Sequence, residues 1–303
     1  MFSFLRRQTV ADIDMRPLAL EGSRGTVAGR WTSIADFLAE WLDQPRLVPE
    51  QQATLDRYYH NYRRRFGTYV RHHYADQTRE LMALMNQGGK DILEVGAGCG
   101  TEALWCALNG ATVVSIDISL KRLDVACARQ EILQNQCGQK LDLSFRNETF
   151  LDLDVRERFD IVWMEQTFHH LEPRARIYAA VARALRAGGY VVVSETNGWN
   201  LLLQSRLFLQ RGFRTRVSRR LADGRLQHYG NERITVPHVL GRGFRAVGIA
   251  PVSLRYFRMF PNARWAERLW PLEKTVLTPL RPLLFSHFNF VGRKVTPAAD
   301  NML

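Results

Sequence analysis

The sequence predicts an α/β chain built on a doubly wound, mostly parallel seven-stranded sheet, with an N-terminal helical extension and helical insertions near the C-terminus. Three observations carry that expectation. From Asp91 onward, short β-branched runs alternate with helical segments, which is the pattern of a parallel sheet covered by helices. The first run, DILEV, opens directly into Gly96, Gly98 and Gly100; in such sheets the first βα turn brings backbone close to a ligand. The second run, VVSIDIS, places Asp117 after an apolar stretch, about 20 residues beyond the glycines, where a carboxylate can accept both hydroxyls of a ribose.

The elements follow in order. Residues 1–50 mix short apolar pieces with charges and with Pro17, Pro45 and Pro49, and read as short helices. The stretch QQATLDRYYHNYRRRFGTYVR is helix-prone, basic and aromatic. It reads as an amphipathic packing helix, with a lid over a cofactor, carried by Tyr58, Tyr59, Tyr62 and Arg63 to Arg65, as the alternative. DQTRELMALMNQGG reads as a helix stopped by Gly88 and Gly89. DILEV, TVVSIDIS, LDLSFRN, FDIVWME and YVVVSET are five strands. Between them, TEALWCALNG, LKRLDVACARQEILQNQ and RIYAAVARALRAGG read as helices, the last with a glycine stop. After Asn197 come an arginine-rich insertion, GFRAVGIAPVSLRYF as a further strand region, a proline-interrupted helical stretch, and HFNFVGRKV as the closing strand. The expected division is a helical extension over 1–75 and a cofactor-binding domain over 76–303, the latter carrying a basic insertion at 198–232 and a helical insertion at 262–284.

With 303 residues and 46% hydrophobic content, the chain can bury a sizeable core and is not of the disordered class. Cys99, Cys106, Cys127 and Cys137 lack CxxC spacing and nearby ligand histidines, so neither a disulfide framework nor a metal site is expected. MFSFLRRQTVADID lacks the order of a secretory signal, and no apolar run approaches the ~18 residues of a membrane span. These features predict a cytoplasmic protein. The charge of +12 is uneven: from Asn197 onward 18 Lys and Arg face 5 Asp and Glu. A field of that kind attracts phosphate, nucleic acid or anionic lipid, which allows a place peripheral to the membrane.

The glycine triplet alone suits a tight turn as well as a cofactor. Its spacing departs from the dinucleotide pattern G-x-G-x-x-G, because Thr101 stands where the third glycine would fall. With Asp117 in place, LEVGAGCG resembles the first motif of the class I methyltransferases that use S-adenosylmethionine, a Rossmann-like family, and the resemblance covers roughly residues 76–197 and the closing strands. It implies that Glu94, Gly96, Ala97, Gly98 and Gly100 face the methionine end of the cofactor and that Asp117, with Ile118 beside it, binds the ribose. FRNETF offers Glu148 and Thr149 at the adenine position, where the family more often has Asp. FDIVWMEQTFHHLEP resembles the fourth-strand motif, with Glu165 at the strand end and a histidine pair opening the turn, and LRAGGYVVVSETN resembles the fifth.

Methyl transfer from a sulfonium is an in-line displacement that needs an aligned acceptor and, for a hydroxyl, a base. His169 and His170, just past the fourth strand, are the candidate bases, each with local packing or capping as the alternative. Glu165 and Gln166 are candidates to orient the cofactor or a sugar hydroxyl; Glu195 and Asn197 are candidates to face the acceptor. The strand-end sequence MEQT lacks the motifs of base methylation, which lowers nucleic acid as a partner and leaves an RNA methyltransferase as the runner-up. A noncatalytic binding protein on the same fold is the third reading. The leading acceptor is a small molecule, a glycan or a lipid-linked intermediate, methylated on oxygen or carbon, with an anionic membrane surface as a further partner of the basic C-terminal third. In the insertion, Leu203, Leu207 and Gln210 share one helical face among seven arginines between Arg206 and Arg225. Trp265, Leu269, Leu272, Val276, Leu280 and Leu283 recur at helical spacing and predict a core-facing helix, interrupted by Pro271, Pro279 and Pro282.

Overall fold

The structure, a computed structural model, describes residues 31–43, 45–220 and 226–295. The expected nonsecretory start and most of the expected N-terminal short helices lie outside the described residues.

Among the described residues, four helices precede the sheet: α1 (Ile34–Asp43), α2 (Pro49–Tyr58), α3 (His60–Arg63) and α4 (Thr68–Asn86). Ser33 starts α1 by accepting from the Asp36 backbone N–H at 3.2 Å while its hydroxyl donates to the Asp36 carboxylate at 2.9 Å, a reciprocal cap. Pro49 opens α2, where a missing N–H costs nothing. The boundary expected at residue 75 falls within α4.

The sheet strands alternate with helices: β1 (Asp91–Val95), α5 (Thr101–Leu108), β2 (Thr112–Asp117), α6 (Leu120–Cys137), β3 (Leu143–Asn147), β4 (Phe159–Glu165), α7 (Arg174–Ala184) and β5 (Leu185–Thr196). Then come α8 (Leu201–Arg211), β6 (Arg216–Arg220), β7 (Leu226–Gly230), α9 (Pro237–Arg245), β8 (Ile249–Phe257), α10 (Ala266–Leu269), α11 (Leu272–Thr275), α12 (Arg281–Leu284) and β9 (His287–Lys294). Seven strands form one sheet in the order β3-β2-β1-β4-β5-β9-β8, while β6 and β7 pair separately. β9 is antiparallel to both of its neighbours, β5 and β8, while the five strands β3, β2, β1, β4 and β5 pair in parallel. The doubly wound sheet is thus as the sequence predicts, and its winding reverses between β1 and β4. A crevice opens there beyond the carboxyl ends of the strands.

Because successive side chains point to opposite faces, Leu93, Val95, Val162 and Met164 pack with α7 and α9 residues such as Ile177, Val181, Leu240 and Phe244. Ile92, Ile161, Trp163 and Val192 face the other way, onto Phe37, Trp41, Leu81 and Leu104 of α1, α4 and α5. Burial on both faces explains the near-continuous apolar runs.

Three local expectations are corrected. The helix expected to run to the glycines ends at Ala184, and Leu185 is already extended; Gly188 and Gly189 lie inside β5, at the register shift opposite Phe159 and Ile161. A side chain on Gly189 would press on the backbone carbonyls of Phe159 and Asp160, so the pair serves close strand packing rather than a helix stop. The strand region expected from GFRAVG is instead the end of α9, opened by Pro237 and pinned by Leu240 and Phe244, and the strand begins only at Ile249. The core-facing helix expected at 262–284 is broken into α10, α11, a 3-10 turn (Thr278–Leu280) and α12. Pro271, Pro279 and Pro282 each remove a backbone donor and clash with the preceding turn. Trp265, Leu269, Leu272, Leu280 and Leu283 are exposed, and only Ala266 and Glu273 of these helices are buried.

Candidate functional site

The crevice is floored by the glycine turn. The Gly96 and Ala97 amides donate to the Ile116 carbonyl at 2.8 and 2.9 Å, which ties the turn to the end of β2. There the Asp117 carboxylate accepts from the amides of Gly98 at 2.9 Å and Ser119 at 2.8 Å, with the Arg122 guanidinium 3.6 Å away. Gly98 has φ +52, and a Cβ on it would strike the Tyr58 ring. Gly100, at φ +80, caps α5, and a Cβ there would lie 2.8 Å from Ala126 and from the Phe145 ring. The glycines therefore serve conformation and close packing together.

Thr101 explains the departure from the dinucleotide pattern. Its hydroxyl is hydrogen-bonded to that of Tyr59 at 2.6 Å and accepts from Arg129 at 2.8 Å; the same Arg129 nitrogen reaches the Cys99 carbonyl at 2.6 Å. Arg129 is fully buried, with its guanidinium 4.6 Å from the Trp41 ring centre. The sequence carries no signal for this role, because a lone arginine on α6 looks like any surface charge.

Glu94, Glu102 and Glu165 gather close to one another beside the turn. Glu94 accepts from the Ser115 hydroxyl, Glu102 from Tyr74, and Glu165 from the Gln77 amide. Among the described residues none of the three has an ion-pair partner. Burial, and then mutual repulsion, lifts Glu94 and Glu165 well above the usual carboxylate range, and burial lifts Glu102. A cationic ligand relieves such a cluster. S-Adenosylmethionine, with its sulfonium and ammonium charges, fits that donor set, and Asp117 retains carboxylate lone pairs for the ribose hydroxyls.

Helix α2 is more than packing. Tyr58 covers Gly98, its ring 4.8 Å from that of Tyr59, and Tyr58, Tyr59, Tyr62 and Tyr74 wall the cavity. Leu55 and Tyr59 are buried and turn the aromatic face inward, while Arg63 and Arg65 pair with Asp56 and Glu267.

Beyond β4, a 3-10 turn (Phe168–His170) carries the histidine pair, anchored by buried Phe168. His169 Nδ1 lies 2.8 and 3.1 Å from the two Glu195 oxygens, and its backbone N–H donates to the same carboxylate at 3.1 Å. Thr196 adds a backbone donor at 3.2 Å. Burial opposes the imidazolium, but the Glu195 charge and hydrogen bond outweigh it and raise the His169 pKa. Burial would likewise raise the Glu195 pKa, yet His169 and the two amides hold it low. The carboxylate thus selects the Nδ1–H tautomer and leaves Nε2 facing the cavity. His170 Nδ1 lies 3.0 Å from the Gly230 carbonyl, and burial followed by the neighbouring His169 charge lowers its pKa. Asn197 does not face the acceptor: its amide donates to the carbonyls of Pro282 and Phe285, and its oxygen accepts from the Trp199 amide.

One cavity of about 1530 Å³ joins these groups. That exceeds the ~300–1,000 Å³ of a typical small-molecule site and leaves room for two ligands. Of the expected cofactor residues, Gly96, Asp117, Ile118, Glu148, Thr149 and Glu165 line it, while Glu94, Ala97, Gly98 and Gly100 lie behind its wall. His169 and His170 line its other end with Glu232, Leu202, Leu203 and Arg206. Glu102 and Glu232, which also line it, were not expected. Glu102 is an acid in the first turn after the glycines, a pattern the sequence displays; Glu232 reaches the site only through the β6–β7 hairpin.

Residues 93–193 match the methyltransferase domain family. No curated protein matches the chain. Among solved structures, a chain of the complex with the Haloferax volcanii Trm112 methyltransferase activator is 16% identical, with 85% of this chain and 97% of that one covered, at a TM-score of 0.51. An S-adenosylmethionine-dependent methyltransferase from Mesorhizobium loti is 19% identical over 72% of this chain and 99% of its own (TM-score 0.48). The 1,6-didemethyltoxoflavin-N1-methyltransferase of Burkholderia thailandensis, solved with its substrate and S-adenosylhomocysteine, is 17% identical over 84% and 93% (TM-score 0.48).

Proposed function

We propose that this chain, which belongs to the class I S-adenosylmethionine-dependent methyltransferase superfamily, methylates oxygen or carbon on an amphipathic acceptor, a lipid-linked intermediate fitting better than a free glycan or small polar molecule. The observation that carries this reading is the single cavity running from Asp117 and Glu165 to His169. The cofactor supplies an electrophilic methyl group. Asp117 accepts from the ribose hydroxyls, Glu148 and Thr149 border the adenine, and Glu102 and Glu165 hold the cationic end in a buried negative field. His169, oriented by Glu195, receives the acceptor proton on Nε2 as the acceptor atom attacks, and sulfur keeps the electron pair of the broken C–S bond. Tyr58 and its neighbouring tyrosines exclude water from the cofactor.

The acceptor class rests on the rim. Leu202, Leu203, Leu284 and Trp265 border the cavity beside Arg206 and Arg258. Outside it, Leu202 and Leu209 are each 85% exposed and Phe213 is 89% exposed, on a segment that also carries Arg206, Arg211, Arg214 and Arg216. Apolar side chains left in water beside arginines suit the headgroup region of an anionic membrane. No helix among the described residues is long and apolar enough to cross a membrane.

Methyl uptake from labelled S-adenosylmethionine, measured on water-soluble glycans, lipid-linked glycans and RNA, tests the reading. Incorporation into the lipid-linked pool, stimulated by phosphatidylserine vesicles, is the expected result. Incorporation into RNA alone, or into none while the cofactor binds, overturns the acceptor assignment.

A further inference from the structure

His169, His170 and Glu232 form a cluster that proton transfer alone does not account for. One ligand atom from each lies within 4.8 Å of the others, and the Glu232 carboxylate is 3.7 Å from His169 Nε2. A cation held by imidazole and carboxylate at ~2.0–2.2 Å sets its ligands up to about twice that distance apart, so small side-chain rotations within the set, that of the half-exposed Glu232 among them, close it.

Both imidazoles are prepared for such a ligand. His169 directs Nδ1 at Glu195 and His170 directs Nδ1 at the Gly230 carbonyl. Each Nδ1–H is thereby spent on an outer acceptor, which leaves each Nε2 lone pair free for a ligand, that of His169 3.7 Å from Glu232. Carboxylate and carbonyl partners of this kind orient metal-binding histidines and raise their basicity. The third ligand is brought in deliberately. Gly230 packs so closely that a Cβ would strike the His169 carbonyl, and Tyr229 bridges to Leu171. Two residues later Glu232 is held at φ +50, a conformation unfavourable for a residue with a side chain and one that recurs at functional sites.

We propose that His169, His170 and Glu232 bind one divalent transition-metal ion, of the Zn²⁺ or Fe²⁺ class, at the acceptor end of the cavity. Two imidazoles and one carboxylate favour these ions over Mg²⁺ or Ca²⁺ and leave coordination positions open. The inference deepens the methyltransferase reading: it makes the acceptor a hydroxyl compound whose oxygen binds the ion. Coordination lowers the hydroxyl pKa, the proton passes to solvent, and the oxygen anion then forms the new bond to the methyl carbon as the C–S bond breaks toward sulfur. With the ion bound, His169 is a ligand and no longer the proton acceptor.

The test is titration of tag-free, chelator-treated full-length protein with Co²⁺, read by visible absorption and by equilibrium binding. The expected result is one ion per chain with a ligand-field band, affinity at least tenfold weaker in Glu232→Ala and in His170→Ala, and unaltered thermal unfolding and S-adenosylmethionine affinity in both. Absence of the band, or affinity in both variants equal to that of the parent, overturns the site. Chelated protein that methylates at the full rate also overturns it and leaves His169 as the base. Co²⁺ bound with no S-adenosylmethionine binding to any form upholds the ion site and instead defeats the methyltransferase reading.

Discussion

Replacing Asp117 with alanine separates the ribose role from a purely structural one. Asp117 sits where β2 ends, its carboxylate already receiving the Gly98 and Ser119 amides. An ionised carboxylate that also accepts two ribose hydroxyls makes two charge-assisted hydrogen bonds, each worth about 1.5–3 kcal/mol when broken. Neighbouring bonds are not additive, so a combined loss of about 3 kcal/mol is the reasonable lower figure, and it corresponds to roughly 100-fold in Kd. The assay is calorimetric titration of Asp117→Ala and the parent chain with S-adenosylmethionine, then with S-adenosylhomocysteine, and with NAD as the control that should not bind. Both adenosyl ligands share the ribose, so both must weaken by the same factor. A Kd within about threefold of the parent, with unchanged thermal unfolding, refutes the assignment. Weakening of S-adenosylmethionine alone shifts the role to the charged end of the cofactor.

Other outcomes follow from the same geometry. Glu195→Gln removes the charge that orients His169 and should cut kcat by roughly 10²–10⁴ while cofactor affinity stays within about twofold; an unchanged kcat refutes the positioning role. Tyr58→Ala uncovers Gly98 and discards the ring contact with Tyr59, worth about 0.5–1.5 kcal/mol, and should weaken S-adenosylmethionine by up to about tenfold through faster dissociation, seen by stopped-flow displacement. The pH dependence of stability turns on the network joining α4 to the 257–273 segment. Burial works against the Asp76 and Glu273 anions, but His72, His73 and Arg255 lower the Asp76 carboxyl, and His73 with the Met259 amide and the Tyr69 hydroxyl lowers that of Glu273. Burial also opposes the His73 cation, which Asp76 and Glu273 nevertheless raise. The carboxylate share of stability is present above their unfolded values near ~4 and lost as pH falls through the lowered folded values. The histidine share is complete below ~6.5 and lost as pH rises through the raised folded value. The contribution of this network, read as the difference in melting temperature between the parent and Asp76→Asn, should therefore be greatest from about pH 4 to about pH 6.5 and shrink on both sides; a difference that does not change with pH refutes it. Leu202→Asp with Leu209→Asp should abolish sedimentation with phosphatidylserine vesicles while leaving cofactor binding intact; retained sedimentation points to charge alone.

The sheet and the meeting of the glycine turn with Asp117 were legible because they are local. A β-branched run followed by glycines and, one βα unit later, by an acid has few structural solutions, and Asp91–Val95, Gly96 and Asp117 occupy them. Helix ends and surface insertions were less legible. The leucine spacing of 262–284 is that of a buried helix, yet three prolines interrupt it and no element among the described residues covers those leucines. The Gly188–Gly189 pair looks like a helix stop but answers to a neighbouring strand.

By itself the sequence determined the winding of the sheet, the glycine turn, the acid at the end of β2 and the histidine pair after β4, since each is written in residues that are neighbours along the chain. Only the tertiary structure decided that Glu195 stands behind His169, that Arg129 anchors Thr101 across 28 positions, that α2 closes over Gly98, and that a hairpin 60 positions downstream lays Gly230 against His170 and brings Glu232 beside both histidines. Those pairings are made by elements remote in sequence, and the free energy that selects them comes from burial of the whole core, which no local pattern records.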